Sequence, residues 1–364
     1  MFEKNALAEL SNRVKQKIPA LDGAHVLVGF DGYIDKLVRL PRGKDYFSSI
    51  SEFVDYISGY RNQSADLRME RISEKLGGNG PLLAQSLAAK GVAVTCVGTM
   101  GKPEVRPQFL ELAEQCRVIS VDQPADCFAI EFADGKLMFG DTAPLERLTF
   151  QRLCEKAGKG RLIGLLDQCD LFCFANWSAI SHANELLSDI LTELGPGLYE
   201  KPRTLFFDLA DPSAVEEAVF YRFFELLPEL KKVFSVTVGL NPKEFLQVYN
   251  RFFHCDETKL TPEMPPRLMA EFPADEIVLH GLDYAVAGDK SYPMRRVPGA
   301  FVPSPKVVTG GGDNFNAGYC LGKLLGLLPG ECAMLGNISS MLYVRDGAPA
   351  GLQGILNLLS SDCG

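Results

Sequence analysis

The sequence predicts an α/β protein, a three-layer α/β/α sandwich around a mostly parallel central sheet. Short apolar runs, among them "DLFCFAN", "TLFFDLAD", "VFSVTVGLN" and "EIVLHG", alternate with stretches of helical pattern. Such alternation argues for parallel strands joined by helical crossovers that cover both faces of the sheet. The runs also end in glycine, aspartate or asparagine, and ligands of open α/β sheets gather outside the carboxyl ends of the strands. Asp31, Asp35, Asn176, Asp208, Asn241, Glu244 and Gly281 all fall at or just beyond such ends.

Taken in order, Leu7, Leu10, Val14 and Ile18 recur at helical spacing and predict an amphipathic first helix. Val26 to Phe30 reads as a buried strand opening into a site. Residues 46–75 are polar and helical in pattern, an excursion from the main architecture. "KLGGNGPLLAQSLAAKGVAVTCVGTMG" reads as a glycine loop, a helix from Pro81 to Lys90 and a strand from Val92 to Val97; proline suits a first helical turn. "CFAIEFADGKLMFGD" alternates and turns at Asp134-Gly135, a hairpin signal. Helices are expected near 182–194 and 213–228 and from Pro242, then a hairpin over 284–297 and a helical C-terminal part. With no repeat, low-complexity tract or linker, residues 1–364 read as one domain.

Composition narrows the function. A net charge of −9 disfavours a general nucleic-acid or anionic-membrane binder. There is no signal-peptide core at the amino end and no apolar run of bilayer-spanning length. The ten cysteines form no CxxC pair and no zinc spacing, which reads as a reduced, cytoplasmic protein.

The informative stretch is "VVTGGGDNFNAGYCLGKLLGLLPG", residues 307–330. Glycine costs a helix about 1 kcal/mol relative to alanine, so three of them at a helix start need a reason. Free amides and the helix dipole make that end an anion site, and glycine lets a polyanion approach the backbone. An aspartate directly afterwards suits a base that deprotonates a hydroxyl attacking a phosphate held there. On this reading the helix terminus keeps Asp313 ionised. An equally local reading is a helix cap. "GGGDNF" is not a dinucleotide fingerprint and "GYCLGKL" is not a P-loop.

The stretch closely resembles the carboxy-terminal signature of the ribokinase-like (PfkB) carbohydrate kinases, whose usual form is DTxGAGDxFxxG. "VGFDGYIDKLVRLP", "GGNGPLLAQSLAAKGVAVTCVGTMG", "LNPKE" and "VLHGLDY" resemble further family motifs in the expected order. The resemblance implies an ATP-dependent, magnesium-requiring kinase acting on a hydroxyl of a sugar or sugar-like molecule. It implies Asp313 as catalytic base, with Gly310, Gly311 and Gly312 as the anion hole. Asn241 and Glu244 would organise Mg2+ largely through water. Asp35, with Asp31 beside it and the Gly77-Gly78-Asn79 turn, would bind the acceptor. Gly281 and Asn337 would line the nucleotide site. It further implies a β-strand lid from residues 33–47 and 118–142 that could pair in a homodimer.

The chain departs from the family pattern at Val307, at Leu82 or Leu83, and at Leu279 and Tyr284, which points to an unusual acceptor. A nucleoside kinase and a non-catalytic sensor on the same fold stay open as alternatives. For His280 a hydrogen-bonded structural role is at least as expected as nucleotide contact. Asn176 and Trp177 divide evenly between pocket and anchor. Asp208 and Asp211 are expected to cap the next helix, and Arg295-Arg296 to form a solvated face.

Overall fold

The computed structural model describes residues 4–194 and 203–360; residues 1–3, 195–202 and 361–364 of the expected single domain lie outside this description. Helix α1 (Lys4–Lys17) buries Leu7, Leu10 and Val14, the spacing read from the sequence. Strand β1 (His25–Phe30) is followed by β2 (Tyr33–Arg39), the short pair β3 (Pro41–Arg42) and β4 (Asp45–Tyr46), α2 (Ile50–Ser58) and β5 (Glu70–Gly77). Then come α3 (Asn79–Ala89), β6 (Ala93–Gly98), α4 (Leu110–Gln115), β7 (Arg117–Ser120) and the hairpin of β8 (Ala125–Phe132) with β9 (Gly135–Asp141).

One turn of helix, α5 (Ala143–Glu146), leads into the alternating part. There α6 (Phe150–Ala157), α7 (Lys159–Gln168), β10 (Leu171–Phe174) and α8 (Ala183–Leu194) precede β11 (Arg203–Asp208) and α9 (Glu217–Leu230). Strand β12 (Phe234–Leu240), α10 (Pro242–Phe253), α11 (Met264–Glu271) and β13 (Glu276–His280) follow. The chain closes with β14 (Tyr284–Asp289), β15 (Arg295–Pro298), α12 (Gly311–Leu324), α13 (Pro329–Asp346) and α14 (Leu352–Ser360).

Nine strands form one sheet in the order β7-β6-β1-β10-β11-β12-β13-β14-β15, parallel as far as β13 and antiparallel beyond. Alternate strand residues point to opposite faces, and the sheet builds two cores. Leu27, Phe172, Phe174, Leu205, Phe207 and Val238 meet α6 to α11. Their neighbours Val26, Val28, Val94, Cys173 and Phe206 meet α1, α3, α4, α12, α13 and α14. Both faces are therefore covered, as the apolar runs require. The nine described cysteines are all free. Among the described residues, no helix is long and apolar enough to cross a membrane.

A second sheet, ordered β5-β2-β8-β9, stands off the first with its own small core of Val38, Leu40, Phe47, Phe53 and Ile130. Three details differ from expectation. Residues 70–75, read as part of a helical excursion, form with Leu76 and Gly77 the edge strand β5. Its side chains are mostly charged and exposed, as edge strands often are, so no alternation reveals it; pairing with β2 decides. Residues 118–120 belong to β7 of the large sheet, where they pair with β6. The helix expected from 213 starts at Glu217, behind a single turn at Pro212–Ala214 that Asp211 caps through Ser213.

Candidate active site

The centre of the site is the amino terminus of α12. Gly310 caps the helix with φ at +92°, a conformation open to glycine and costly to other residues. A Cβ there would also lie 2.7 Å from the Tyr343 hydroxyl. The carbonyls of this turn are tied back. Tyr343 Oη donates to Thr309 O (3.0 Å), and Asn314 donates to Gly310 O from both its amide nitrogen (3.0 Å) and Nδ2 (2.9 Å). Lys136 Nζ, on β9, donates to Thr309 Oγ1 (2.9 Å). Gly311 N donates across a long 3.3 Å bond to Val308 O, whereas Gly312 N and Asp313 N meet no backbone carbonyl among the described residues. The open donors are thus centred on Gly312 and Asp313 rather than spread equally over the three glycines.

Asp313 is buried, and its Oδ1 has no hydrogen-bond partner. Burial, and after it the charges of Asp208, Asp31 and Asp35, push its carboxyl well above the ordinary range. The expectation that the helix terminus keeps it ionised is corrected here: desolvation outweighs the dipole. The same four acids thus share one region, which couples the end of β1, the second sheet, the end of β11 and the start of α12.

Their partners differ. Asp31 is 1% exposed and fully engaged. It accepts from Asn79 N (3.0 Å), Gly80 N (2.8 Å) and Asn176 Nδ2 (2.9 Å), which makes it the anion at the start of α3. Burial first of all raises its pKa to about 6. Asp35, on β2, accepts no hydrogen bond among the described residues and lies over Gly77, where a Cβ would collide with it. Burial raises its pKa; Lys136 and Lys75 pull the other way. Asp208, noted at a strand end and expected to cap the next helix, is buried among these acids. It accepts from Asn79 Nδ2 (3.0 Å) and Asn316 Nδ2 (3.1 Å), besides Ala210 N (2.9 Å).

Turn 307–312 stands between two cavities. On one side a cavity of ≈510 Å³ is lined by Gly311, Gly312, His280, Gly281 and Asn337, with Leu282, Phe301 and Val344 as apolar walls. On the other a cavity of ≈520 Å³ is lined by Thr309, Asp35, Gln85, Gln108, Lys75 and Tyr343. The first is suited to a flat heterocycle and the second to a polyol, since carboxylates and amides accept from hydroxyls. Leu82 lines the polar cavity while Leu83 is buried in the core.

Asn337 Nδ2 donates to the carbonyls of Val297 (3.3 Å) and Pro298 (3.2 Å), fixing that wall. His280 stacks on Phe315 with ring centroids 4.7 Å apart, and burial lowers its pKa to about 4, so it is a neutral lining. Asn241 and Glu244 form the capping box of α10. Asn241 Oδ1 accepts from Lys243 N and Glu244 N, and Glu244 accepts from Asn241 N (2.8 Å) and Nδ2. Asn241 is thereby spent on the helix and offers no free ligand. Among the described residues no three His, Cys, Asp or Glu side chains are grouped to hold a metal. The pair fits an ion held by its own waters and phosphates, not a protein cage.

The remaining candidates resolve structurally. Trp177 is a core anchor packed on Phe220 and Phe223, its Nε1 donating to Asn184. Arg296 lies over the Tyr284 ring, 3.8 Å from its centroid. Sequence reasoning missed Asn316, Tyr343 and Lys136, and took Asp208, although at a ligand-side strand end, for a cap. Asn316 alone carried a readable signal, being three residues after Asp313 and hence on the same helix face.

A family model, Khk: Prokaryotic ketohexokinase, matches residues 4–361. Ketohexokinase of Haloferax volcanii is 26% identical over 340 residues, covering 90% of this chain and 89% of that protein. Among solved structures, ribokinase from Thermotoga maritima superposes with a TM-score of 0.65 at 15% identity, covering 93% of this chain and 99% of its own. Fructokinase with bound ATP from Xylella fastidiosa gives 0.63 at 14% identity, covering 92% and 98%. Adenosine kinase from Sinorhizobium meliloti gives 0.64 at 16%, covering 88% and 93%. At these identities the structures establish a common ribokinase-like fold.

Proposed function

This chain belongs to the prokaryotic ketohexokinase family, whose members are sugar kinases, and from that premise we propose that it transfers the terminal phosphoryl group of ATP to a hydroxyl of a ketohexose. The observation that carries the reading is the turn of residues 307–312, set between an apolar-walled and a polar cavity, with the partnerless Oδ1 of Asp313 behind it.

The nucleotide base lies against Leu282, Phe301 and Val344, and its phosphates extend to Gly311 and Gly312. The amides of Gly312 and Asp313 hold the transferring group and stabilise charge on its equatorial oxygens. The sugar occupies the polar cavity, where Asp35 accepts from its hydroxyls. Asp313 accepts the proton of the attacking hydroxyl. Its raised pKa brings the carboxylate closer to the basicity this task needs near neutrality. A magnesium ion accompanying the nucleotide neutralises phosphate charge. Glu244 is the nearby carboxylate for its water shell, and Asn241 orients Glu244. The β5-β2-β8-β9 sheet acts as a lid, with Lys136 reaching from β9 to Thr309 to shield the reaction from water.

The test is ADP release from ATP and magnesium with a panel of ketohexoses, aldohexoses, pentoses and nucleosides. A ketohexose is expected to give the highest kcat/KM. Preference for a nucleoside would replace the acceptor, and ATP binding without transfer to any of them would make the protein a sensor.

A further inference from the structure

Three consecutive glycines are the least constrained tripeptide a chain can present, yet an anion hole must be rigid to be useful. Part of the restraint comes from the core. Asn314 Nδ2 holds Gly310 O, and Asn314 Oδ1 accepts from Ser86 Oγ on α3 (2.7 Å). Ser86 Oγ in turn accepts from Lys90 Nζ (2.8 Å), which also donates to Ser86 O (3.0 Å). Lys90, Ser86 and Asn314 are 1%, 0% and 0% exposed, and Lys90 has no carboxylate partner among the described residues. Burial alone lowers its pKa, to about 7. A buried ammonium without a counter-ion is a cost that an apolar side chain of the same length would avoid.

The direction of the chain explains what the cation does. An ammonium can only donate, so it occupies a lone pair of Ser86 Oγ and sends that hydroxyl's one proton towards Asn314. Asn314 must then face Ser86 with its oxygen and Gly310 with its nitrogen. The reversed amide would set two oxygens against each other at Gly310. Because the peptide is planar and trans, a fixed Gly310 carbonyl fixes the Gly311 N–H on the opposite side, where it donates to Val308 O, and so sets the turn that presents the next two amides. Resting on the phosphoryl-transfer reading above, we propose that Lys90, acting through Ser86 and Asn314, is a positioning residue that fixes the Gly310–Gly311 peptide, and with it the first turn of α12 from which the amides of Gly312 and Asp313 meet the transferring group.

The test uses Lys90→Met, an unbranched apolar side chain one atom shorter and of similar volume, and Ser86→Ala. In each, kcat for transfer from ATP is expected to fall about 5- to 50-fold while the sugar KM changes less than about threefold, as for loss of a transition-state contact. Tm is expected to hold or rise for Lys90→Met. Lys90→Met placed on Ser86→Ala should add no further loss, because both break one chain. Without any ligand, hydrogen exchange of the amides in 310–314 should accelerate about tenfold or more in both variants. Wild-type kcat with wild-type exchange in either variant overturns the proposal, as does a double variant whose losses multiply. If Lys90→Met does not fold, Ser86→Ala decides by the same measurements. Absence of transfer in the wild-type protein would instead sink the kinase reading, while the exchange measurement would still judge the relay.

Discussion

Two glycine turns in this chain run into helices beside an aspartate, and they end up in opposite states. At the start of α3, Gly78 adopts φ +94° and the amides of Asn79 and Gly80 are taken by Asp31. At the start of α12, Gly310 adopts φ +92°, yet the amides of Gly312 and Asp313 meet no carbonyl and Asp313 Oδ1 has no partner. One helix dipole is neutralised by an anion built into the protein; the other is, on the proposed function, the place for an anion from outside. On the function proposed above, the plugged terminus holds structure and the open one carries the chemistry. Each can be tested by exchanging the expectation between them.

The largest effect belongs to the open terminus. Asp313→Asn is expected to lower kcat by roughly 10²–10⁴-fold, the usual loss with a general base. Its stability should hold or rise, since no hydrogen bond to Oδ1 is lost and a charge crowded by Asp208 and Asp31 is removed. Steady-state kinetics together with a urea melt check both halves; near-normal turnover would remove Asp313 from the chemistry. The mirror experiment is Asp31→Ala. It orphans three buried donors, Asn79 N, Gly80 N and Asn176 Nδ2, and should cost about 2–4 kcal/mol of unfolding free energy. The kcat of the folded fraction should change less than about tenfold. If stability were untouched and turnover abolished, the two termini would have to exchange roles.

The pairing also shows what a sequence can and cannot reveal. The fold was legible because apolar runs and helical stretches carry their periods locally, and both covered faces follow from strands that are apolar throughout. Strand β5 was not, because its charged, exposed side chains have no period and only the neighbouring β2 makes it a strand. In the site, Gly310 to Asp313 stood out since glycine at a helix start demands a reason. Asp208 did not, because an aspartate after a strand looks the same whether it caps a turn or meets Asn79 and Asn316 from two other elements. Asn241 and Glu244 were visible through the resemblance of "LNPKE" to a family motif, but the same spacing is that of a capping box. The ionisation expected for Asp313 was misjudged, because desolvation depends on what packs above it.

A smaller effect separates the glycines themselves. Gly78→Ala and Gly310→Ala both force a side chain into the left-handed region and should each cost about 1–3 kcal/mol of stability. Only Gly310→Ala should also lower kcat of the folded enzyme, by roughly tenfold, since its Cβ would push against the Tyr343 hydroxyl that holds Thr309. Equal kcat losses at the two positions would erase the distinction between the termini.

The smallest effect is in pH, and here stability and activity are expected to move in opposite directions. Burial raises Asp31 to about 6 and lifts Asp35, Asp208, Glu244 and Asp313 as well. A carboxyl whose folded pKa exceeds its unfolded one binds more protons when folded, so its contribution is fully present below the unfolded value and is lost as pH rises through the folded one. The urea midpoint should therefore increase as pH is lowered from about 7.5 to about 5.5, within the window set by Asp31. Turnover should also fall as pH is lowered, because the base at Asp313, its pKa raised by burial, must be ionised to accept a proton. In Asp31→Asn the stability slope should flatten while the acid limb of kcat persists. A midpoint that falls together with kcat would show that loss of the base and acid unfolding are one event, leaving no separate work for the plugged and the open helix ends.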